Sequence, residues 1–334
     1  MTSHIVVVGS LNVDLVVRVP RHPQLGETIL GGEFRTFPGG KGANQAVAAA
    51  RLGAAVKMIG RVGPGGFGDS LIDALVRDNV DTTHIRRDGK LRSGVALITV
   101  DAVGQNTIVV ASGANGELTP GDVTAGEAAF AGAAVLLLQL ECPLAAVERA
   151  IELAKKHGAQ VILNPAPAQM LNAALLESVD YLAPNQTELA LLTGVDDLAD
   201  TRRAASHLRA HGVQRVIVTL GEEGVLAVDD EGEFYLPARR VTVVDTTAAG
   251  DAFVGALAVA LMEGRSMREA VVWGNAAGGL TVTRPGAQPS LPTREELEST
   301  HVKVWPECPS SGTYDINAVD TPTTCSVGGN HSIP

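Results

Sequence analysis

Ile5-Val6-Val7-Val8-Gly9-Ser10 is a β-branched run stopped by a glycine and a serine. A continuous apolar run this short suits a strand buried on both faces of a parallel sheet, because a strand with one wet face would alternate. Similar runs recur at Val56-Lys57-Met58-Ile59, at 134–138 (AVLLL), at 160–163 (QVIL), at Tyr181-Leu182 and at 215–219 (RVIVT). Helical patterns lie between them. Ala43, Ala46, Val47 and Ala50 share one face, and Gly53 stops that helix. Pro143 opens another in its first turn, with Leu144, Val147 and Ile151 along one side. Strands alternating with helices require crossover connections, so the pattern predicts an α/β fold: a doubly wound, mostly parallel sheet flanked by helices.

Two stretches break the rhythm. Residues 14–37 and 93–111 are rich in β-formers without helical spacing, and VALITV (95–100) and NTIVVA (106–111) flank a hairpin-like connection. They predict a small β-sheet beside the main domain, placed as a lid over a site. Residues 1–300 read as one domain. Residues 301–334 are rich in Pro, Gly, Ser and Thr and show no period, so that tail is expected to be disordered or non-native.

Composition narrows the function. In 334 residues, 45% are hydrophobic and 19% charged, as in a soluble globular protein. Lys and Arg number 26 against 37 Asp and Glu, a formal charge of −11, which argues against non-specific nucleic-acid binding. Cys142, Cys308 and Cys325 are too scattered for a disulfide framework or a zinc site, so a reducing cytoplasm is expected. The N-terminal stretch lacks the basic segment of a signal peptide. The longest apolar stretch, 128–140, is too short for a membrane span of ~20 residues. The histidines show no metal spacing, and no G-x-S-x-G elbow occurs.

Several segments carry candidate chemistry. Gly63-Pro64-Gly65-Gly66-Phe67-Gly68 fits a dinucleotide fingerprint, but Pro64 removes an amide donor and no acidic ribose ligand follows, so a turn before a helix is the better reading. Phe37-Pro38-Gly39-Gly40-Lys41-Gly42 fails the Walker pattern. It still places Lys41 and Asn44 in a helix's first turn, where free amides and side chains can meet a polar ligand. Asn12, Asp14 and Glu141 follow strands, at the edge where α/β proteins bind ligands. So do Asn185 and Glu188, which also have the spacing of a helix capping box. In Val243-Val244-Asp245-Thr246-Thr247-Ala248-Ala249-Gly250-Asp251-Ala252-Phe253, small residues open a helix. Such an end is an anion site, and Asp251 in its first turn is a candidate general base toward a phosphoryl acceptor.

Taken together, GSLNVD (9–14), GGKGANQA (39–46), LLQLE (137–141), LNPAPA (163–168), PNQTE (184–188), TLGEEGV (219–225), DTTAAGDAFVGAL (245–257) and TRPGAQPS (283–290) resemble the ribokinase-like carbohydrate kinase family, in the family's order and over roughly residues 4–298. The resemblance implies a parallel sheet with a β lid that often forms a homodimer interface, and ATP-dependent phosphorylation of D-ribose at its 5-hydroxyl. It implies Asp251 as catalytic base and the amides of Ala248, Ala249 and Gly250 as anion hole. Asn12, Asp14, Gly40, Lys41, Asn44 and Glu141 would bind the sugar. Asn185, Thr219, Gly221, Gly224 and Asn275 would meet ATP, with Glu188 linked indirectly to Mg2+. Asp245, Thr247, Thr281, Arg284, Gly286 and Ser290 would bind K+. The chain departs from the family at 63–68, where Pro64 and Gly65 replace a usual acidic residue. Other sugar kinases on this scaffold, a deoxyribokinase or fructokinase, remain open, as does a non-catalytic sugar or nucleotide sensor.

Overall fold

The computed structural model describes residues 3–195 and 201–300, together with the short pairs 314–315 and 324–325. Chain order is β1 (His4–Val8), β2 (Asn12–Arg18), β3 (Phe34–Gly39), α1 (Lys41–Arg51), β4 (Val56–Val62), α2 (Gly66–Arg77), β5 (Val80–Arg87), β6 (Gly94–Val100) and β7 (Asn106–Ala111). There follow α3 (Pro120–Ala125), β8 (Ala133–Leu138), α4 (Leu144–His157), β9 (Gln160–Leu163), α5 (Ala173–Glu177), β10 (Tyr181–Leu182), α6 (Gln186–Thr193) and α7 (Thr201–Ala210). The chain continues with β11 (Arg215–Thr219), β12 (Gly224–Val228), β13 (Glu233–Pro237), α8 (Ala249–Met262), α9 (Met267–Thr281) and α10 (Arg294–Thr300).

The nine-stranded main sheet has the order β13-β12-β11-β10-β9-β8-β1-β4-β5. Its pairings are parallel from β11 to β5, and β12 and β13 extend it antiparallel. Strand β1 lies inside the sheet, and its pleat divides the core. Ile5 and Val7 pack with α1, α2, α8 and α9, while Val6 and Val8 pack with α4, α5 and α7. All four side chains are fully buried, each worth roughly 1.5–3 kcal/mol relative to exposure. This is why the run does not alternate. Helix α8 is buried from Asp251 through Leu261, so it is a core element rather than an amphipathic cover.

The predicted accessory sheet is present, with order β3-β2-β6-β7. Its first strand begins at Asn12, directly after the turn that leaves β1, so this small sheet grows out of the centre of the main sheet. Two details differ from the sequence reading. Pro143 caps α4 instead of lying inside its first turn. Strands β5, β12 and β13 extend the sheet beyond the runs read from sequence. β5 (VDTTHIRR) sits at one edge and buries only Val80 and Ile85, so it never formed an apolar run. The tail predicted after residue 300 lies outside the described residues, apart from an antiparallel pairing of Tyr314–Asp315 with Thr324–Cys325. Among the described residues no helix is long and apolar enough to cross a membrane.

Candidate active site

The carboxyl ends of the parallel strands converge on one edge, and most of the predicted residues gather there. Asn12 and Asp14 follow β1, Glu141 follows β8, Asn185 and Glu188 follow β10, and Thr219 ends β11. Against them lie the first turns of α1 (Lys41, Asn44) and α8 (Asp251). The glycine pair before α1 has separate physical reasons. A Cβ on Gly39 would lie 2.2 Å from Asp14 Oδ2, and Gly40 holds φ 91, a left-handed value that turns the chain into the helix.

Asp251 is buried, and both of its oxygens are held. Asn44 Nδ2 donates to Oδ2 at 2.9 Å and Gln45 Nε2 to Oδ1 at 3.1 Å. Burial pushes the Asp251 carboxyl up, against the pull of Lys41, Asn44 and Gln45; Glu141 adds to the rise. Burial likewise raises Glu188. Asp14 is raised to about 7, first by burial and then by the charges of Glu141 and Asp251. Lys41 lies among these acids. Burial favours its neutral form, but Asp251, Glu141 and Glu188 outweigh that and lift it. It forms no direct ion pair among the described residues, so its ammonium can meet a ligand.

Glu141 is part of the framework as well as the edge of the site. It accepts from the Ser10 hydroxyl, from Asn12 Nδ2 at 3.3 Å and from the Lys41 amide at 3.1 Å. Asn12 Oδ1 in turn accepts from Asn115 Nδ2 at 2.8 Å.

A cavity of about 190 Å³ opens in front of Asp251, lined also by Lys41, Asn185, Glu188, Thr219, Ala248 and Gly250. The amides of Gly250 and Asp251 border it and donate to no protein acceptor among the described residues. Of the three amides expected in an anion hole, that of Ala249 is already engaged, to Thr246 O at 3.3 Å. Asp251 supplies a further open donor beside that of Gly250. Ala248 reaches this turn with φ 61, an unusual value for a residue with a Cβ.

The nucleotide residues divide. Asn185 and Glu188 form the full capping box of α6 and also line the cavity. Gly221, Gly224 and Asn275 are not among the lining residues. A Cβ on Gly224 would lie 2.1 Å from Leu236 O, so β13 requires that glycine. Asn275 donates to Pro237 O at 2.9 Å, tying α9 to the end of β13. The predicted cation residues centre on Asp245. Its Oδ1 accepts from the Thr247 amide (2.9 Å) and hydroxyl (2.6 Å), and its Oδ2 from the Gly286 amide (2.8 Å). Burial works against ionisation, but these donors hold the Asp245 carboxyl below its ordinary range. The Thr281 and Ser290 hydroxyls donate to Ala277 O and Ala287 O. The Arg284 guanidinium pairs with Glu296, which leaves only backbone oxygen at 284 for an ion.

Sequence reasoning missed the amides behind the acid. Gln45, Gln139 and Asn164 are buried and hydrogen-bonded into one cluster with Asp251. All three lie within quoted segments, GGKGANQA, LLQLE and LNPAPA, but no spacing rule assigns them a task.

Comparison with known proteins agrees with this geometry. The family described as pfkB family carbohydrate kinase matches residues 2–294. A ribokinase of Haemophilus influenzae is 44% identical over 298 residues, covering 89% of this chain and 97% of its own. A deoxyribokinase of Salmonella typhi is 40% identical over 296 residues, covering 88% and 97%. The structure of Arabidopsis thaliana ribokinase complexed with ribose and ATP superposes with a TM-score of 0.81 at 33% identity, covering 90% of this chain and 98% of its own. With the fold, the buried acid and the open helix end in place, the chain belongs to the pfkB family of carbohydrate kinases and is a sugar kinase.

Proposed function

We propose that this enzyme transfers the γ-phosphoryl group of ATP to the 5-hydroxyl of D-ribose, giving ribose 5-phosphate and ADP. One observation carries the reading. A buried, amide-oriented carboxylate, Asp251, stands in the first turn of a helix whose leading amides are open to a cavity. Ionised Asp251 takes the proton of the sugar hydroxyl as its oxygen bonds to phosphorus. The bond from phosphorus to the β-phosphate oxygen breaks, and ADP leaves with the electron pair. Burial makes Asp251 a stronger base than an exposed aspartate. The amides of Gly250 and Asp251, at the positive end of α8, stabilise charge on the transferring group. Lys41 screens the acids from the incoming phosphates and orients the sugar with Asn12, Asp14 and Glu141. Asn44 Oδ1 is buried with no donor among the described residues, an acceptor suited to a sugar hydroxyl.

ATP would lie over Asn185 and Thr219. Glu188 fits an indirect role toward Mg2+. It is one buried carboxylate on the cavity wall with both oxygens already accepting from Asn185, and Mg2+ on a nucleotide keeps its waters and needs few protein ligands. Bound there, Mg2+ would neutralise phosphate charge. The all-oxygen set around Asp245, with Thr247, Thr281, Gly286, Ser290 and the backbone of Arg284, suits a K+ ion that would steady the turn into α8. In the small sheet Leu97 and Val109, paired on one face, and Ile108 and Val110 on the edge strand are exposed and apolar, which supports homodimerisation through this sheet. Scattered cysteines support a cytoplasmic setting; the one thiol described, Cys142, is buried, and burial pushes it up.

Phosphorylation of 2-deoxyribose is the second reading, favoured by the 40% identity to a deoxyribokinase. The test is ATP-dependent transfer to D-ribose, 2-deoxyribose, fructose and adenosine, with and without K+. Highest kcat/KM with ribose, raised by K+, supports the proposal. Preference for deoxyribose replaces the acceptor and keeps Asp251. Ligand binding without turnover would make the protein a sensor.

A further inference from the structure

We propose that Gln45 and Gln139 act in series as positioning residues for Asp251, with Gln139 fixing the Gln45 amide in the one orientation that presents its N–H to the base. The inference rests on Asp251 being the base of the reaction proposed above.

Gln45 lies on α1 and is fully buried. Its Nε2 donates to Asp251 Oδ1 at 3.1 Å and to Asn164 Oδ1 at 3.2 Å, while its Oε1 accepts from Gln139 Nε2 at 2.6 Å. An amide keeps its shape when turned end for end, so its partners decide its direction. Ionised Asp251 can only accept. Asn164 is fixed in turn, because its Nδ2 donates to Ala183 O at 2.9 Å. A reversed Gln45 would set its oxygen against two acceptors and its nitrogen against the Gln139 nitrogen. The cluster has one satisfied direction, and Gln139 closes it from the far end.

The end of β1 is shaped to admit Gln139. A Cβ on Gly9 would lie 2.1 Å from Gln139 Oε1. That oxygen is buried with no donor among the described residues, so the residue contributes through its nitrogen. A leucine would fill the space without an unpaired atom. The charged groups facing Asp251 are Lys41 from α1, Glu141 after β8, Asp14 from β2 and Glu188 from α6. Lys41 favours the ionised base, and the three carboxylates and burial oppose it. The Gln45 hydrogen bond acts on Lys41's side, so its loss raises the pH above which Asp251 can accept a proton.

The test is kcat against pH for the intact enzyme, saturated with ATP and its fastest acceptor so that titration linked to sugar binding does not enter. Wild type, Gln45→Met, Gln139→Met and the double variant are compared, with melting temperatures measured in parallel. The acidic limb should move up by about one to two pH units in Gln45→Met, as expected for a lost hydrogen bond to a charged group. It should move less, in the same direction, in Gln139→Met, and the double variant should match Gln45→Met alone. Should Gln45→Met not fold, the Gln139→Met limb decides, since Gln139 touches neither Asp251 nor the cavity. Unmoved limbs, or shifts that add in the double variant, overturn the proposal. Asp251→Asn separates the two ideas. If it turns over normally, the base assignment fails; if it is inactive while the glutamine variants keep the wild-type limb, only the series fails.

Discussion

Two helices begin at this site, and the chain treats their N-termini in opposite ways. Each presents about half a positive charge and a set of amides without helical partners. At α1 the protein itself fills the end. The Lys41 amide donates to Glu141 Oε2 at 3.1 Å, the Gly42 amide to Ser10 Oγ at 3.3 Å and the Ala43 amide to Ser10 O at 3.0 Å. At α8 the amides of Gly250 and Asp251 have no protein acceptor among the described residues and border the cavity. The filled end is framework: it fixes Lys41, Asn44 and Gln45 relative to β1 and β8. The open end has its donors available for charge that arrives with a ligand. The same backbone physics thus serves structure in one place and chemistry in the other, and the protein's own carboxylate at 141 marks which is which.

The hardest test of that division is Asp251→Asn at the open end. It should fold and melt close to wild type while kcat falls by ~10²–10⁴-fold, the range for a lost general base. Near-normal turnover in a steady-state assay would remove the open end's catalytic role. Glu141→Gln tests the filled end and should do the reverse. All three donors converge on Oε2, where the glutamine's amide oxygen can take its place but without the charge. Hydrogen bonds to a charged group are worth about 1.5–3 kcal/mol against about 0.5–1.5 for neutral ones, so denaturant unfolding should show a stability loss of about 1–2 kcal/mol. The sugar KM should rise, with kcat less affected than in Asp251→Asn. If Glu141→Gln instead lowers kcat as far as Asp251→Asn does, at unchanged stability, Glu141 is not framework.

The two ends were unequally legible in the sequence. The turn 245–251 announced itself through small residues before a helix, and β1 through an unbroken apolar run, because both are local patterns. The filling of α1 was not legible, since Ser10 and Glu141 lie 131 residues apart. Nor were the amides behind Asp251: Gln45 meets Gln139 across 94 residues and Asn164 across 119. Each is an ordinary polar residue until α1, β8 and β9 converge. Asn115, which braces Leu11 and Asn12, was hidden for the same reason. Edge strands escaped because they bury little, and a strand that buries little has no apolar signature. Gly224 is a different case: resemblance assigns it to the nucleotide, and the sheet by itself also accounts for its lack of a side chain.

A smaller effect should appear in pH. Asp14 sits near 7 because burial and the charges of Glu141 and Asp251 oppose its ionisation. A sugar hydroxyl donates best to the ionised form, so sugar affinity should rise with pH and level off above that value. Below it, Kd should weaken by up to about tenfold per pH unit. Calorimetry between about pH 6 and 8, in buffers of different ionisation enthalpy, would show a proton released on binding at the lower pH. Glu141→Gln removes one of the opposing charges and should move the midpoint down. Affinity that is flat with pH would mean that Asp14 does not accept from the sugar.

The smallest effect is expected at the residue that turns the chain into the open end. At the filled end the turning residue is Gly40, with φ 91, and a Cβ there would lie 2.7 Å from the Asn12 amide nitrogen. Glycine is required. At the open end Ala248 makes the turn with φ 61 and keeps its Cβ. A left-handed alanine costs roughly 1–2 kcal/mol, and glycine would relieve that while giving the unfolded chain back roughly 0.5–1 kcal/mol of entropy. Ala248→Gly should therefore be neutral to slightly stabilising, by about 1 kcal/mol at most. If the open end works by donor placement alone, kcat should change by no more than a few-fold. A more stable protein with kcat down tenfold or more would show that the alanine holds the turn rigid for phosphoryl transfer, and that the open end depends on strain which the filled end, built on glycine, does not carry.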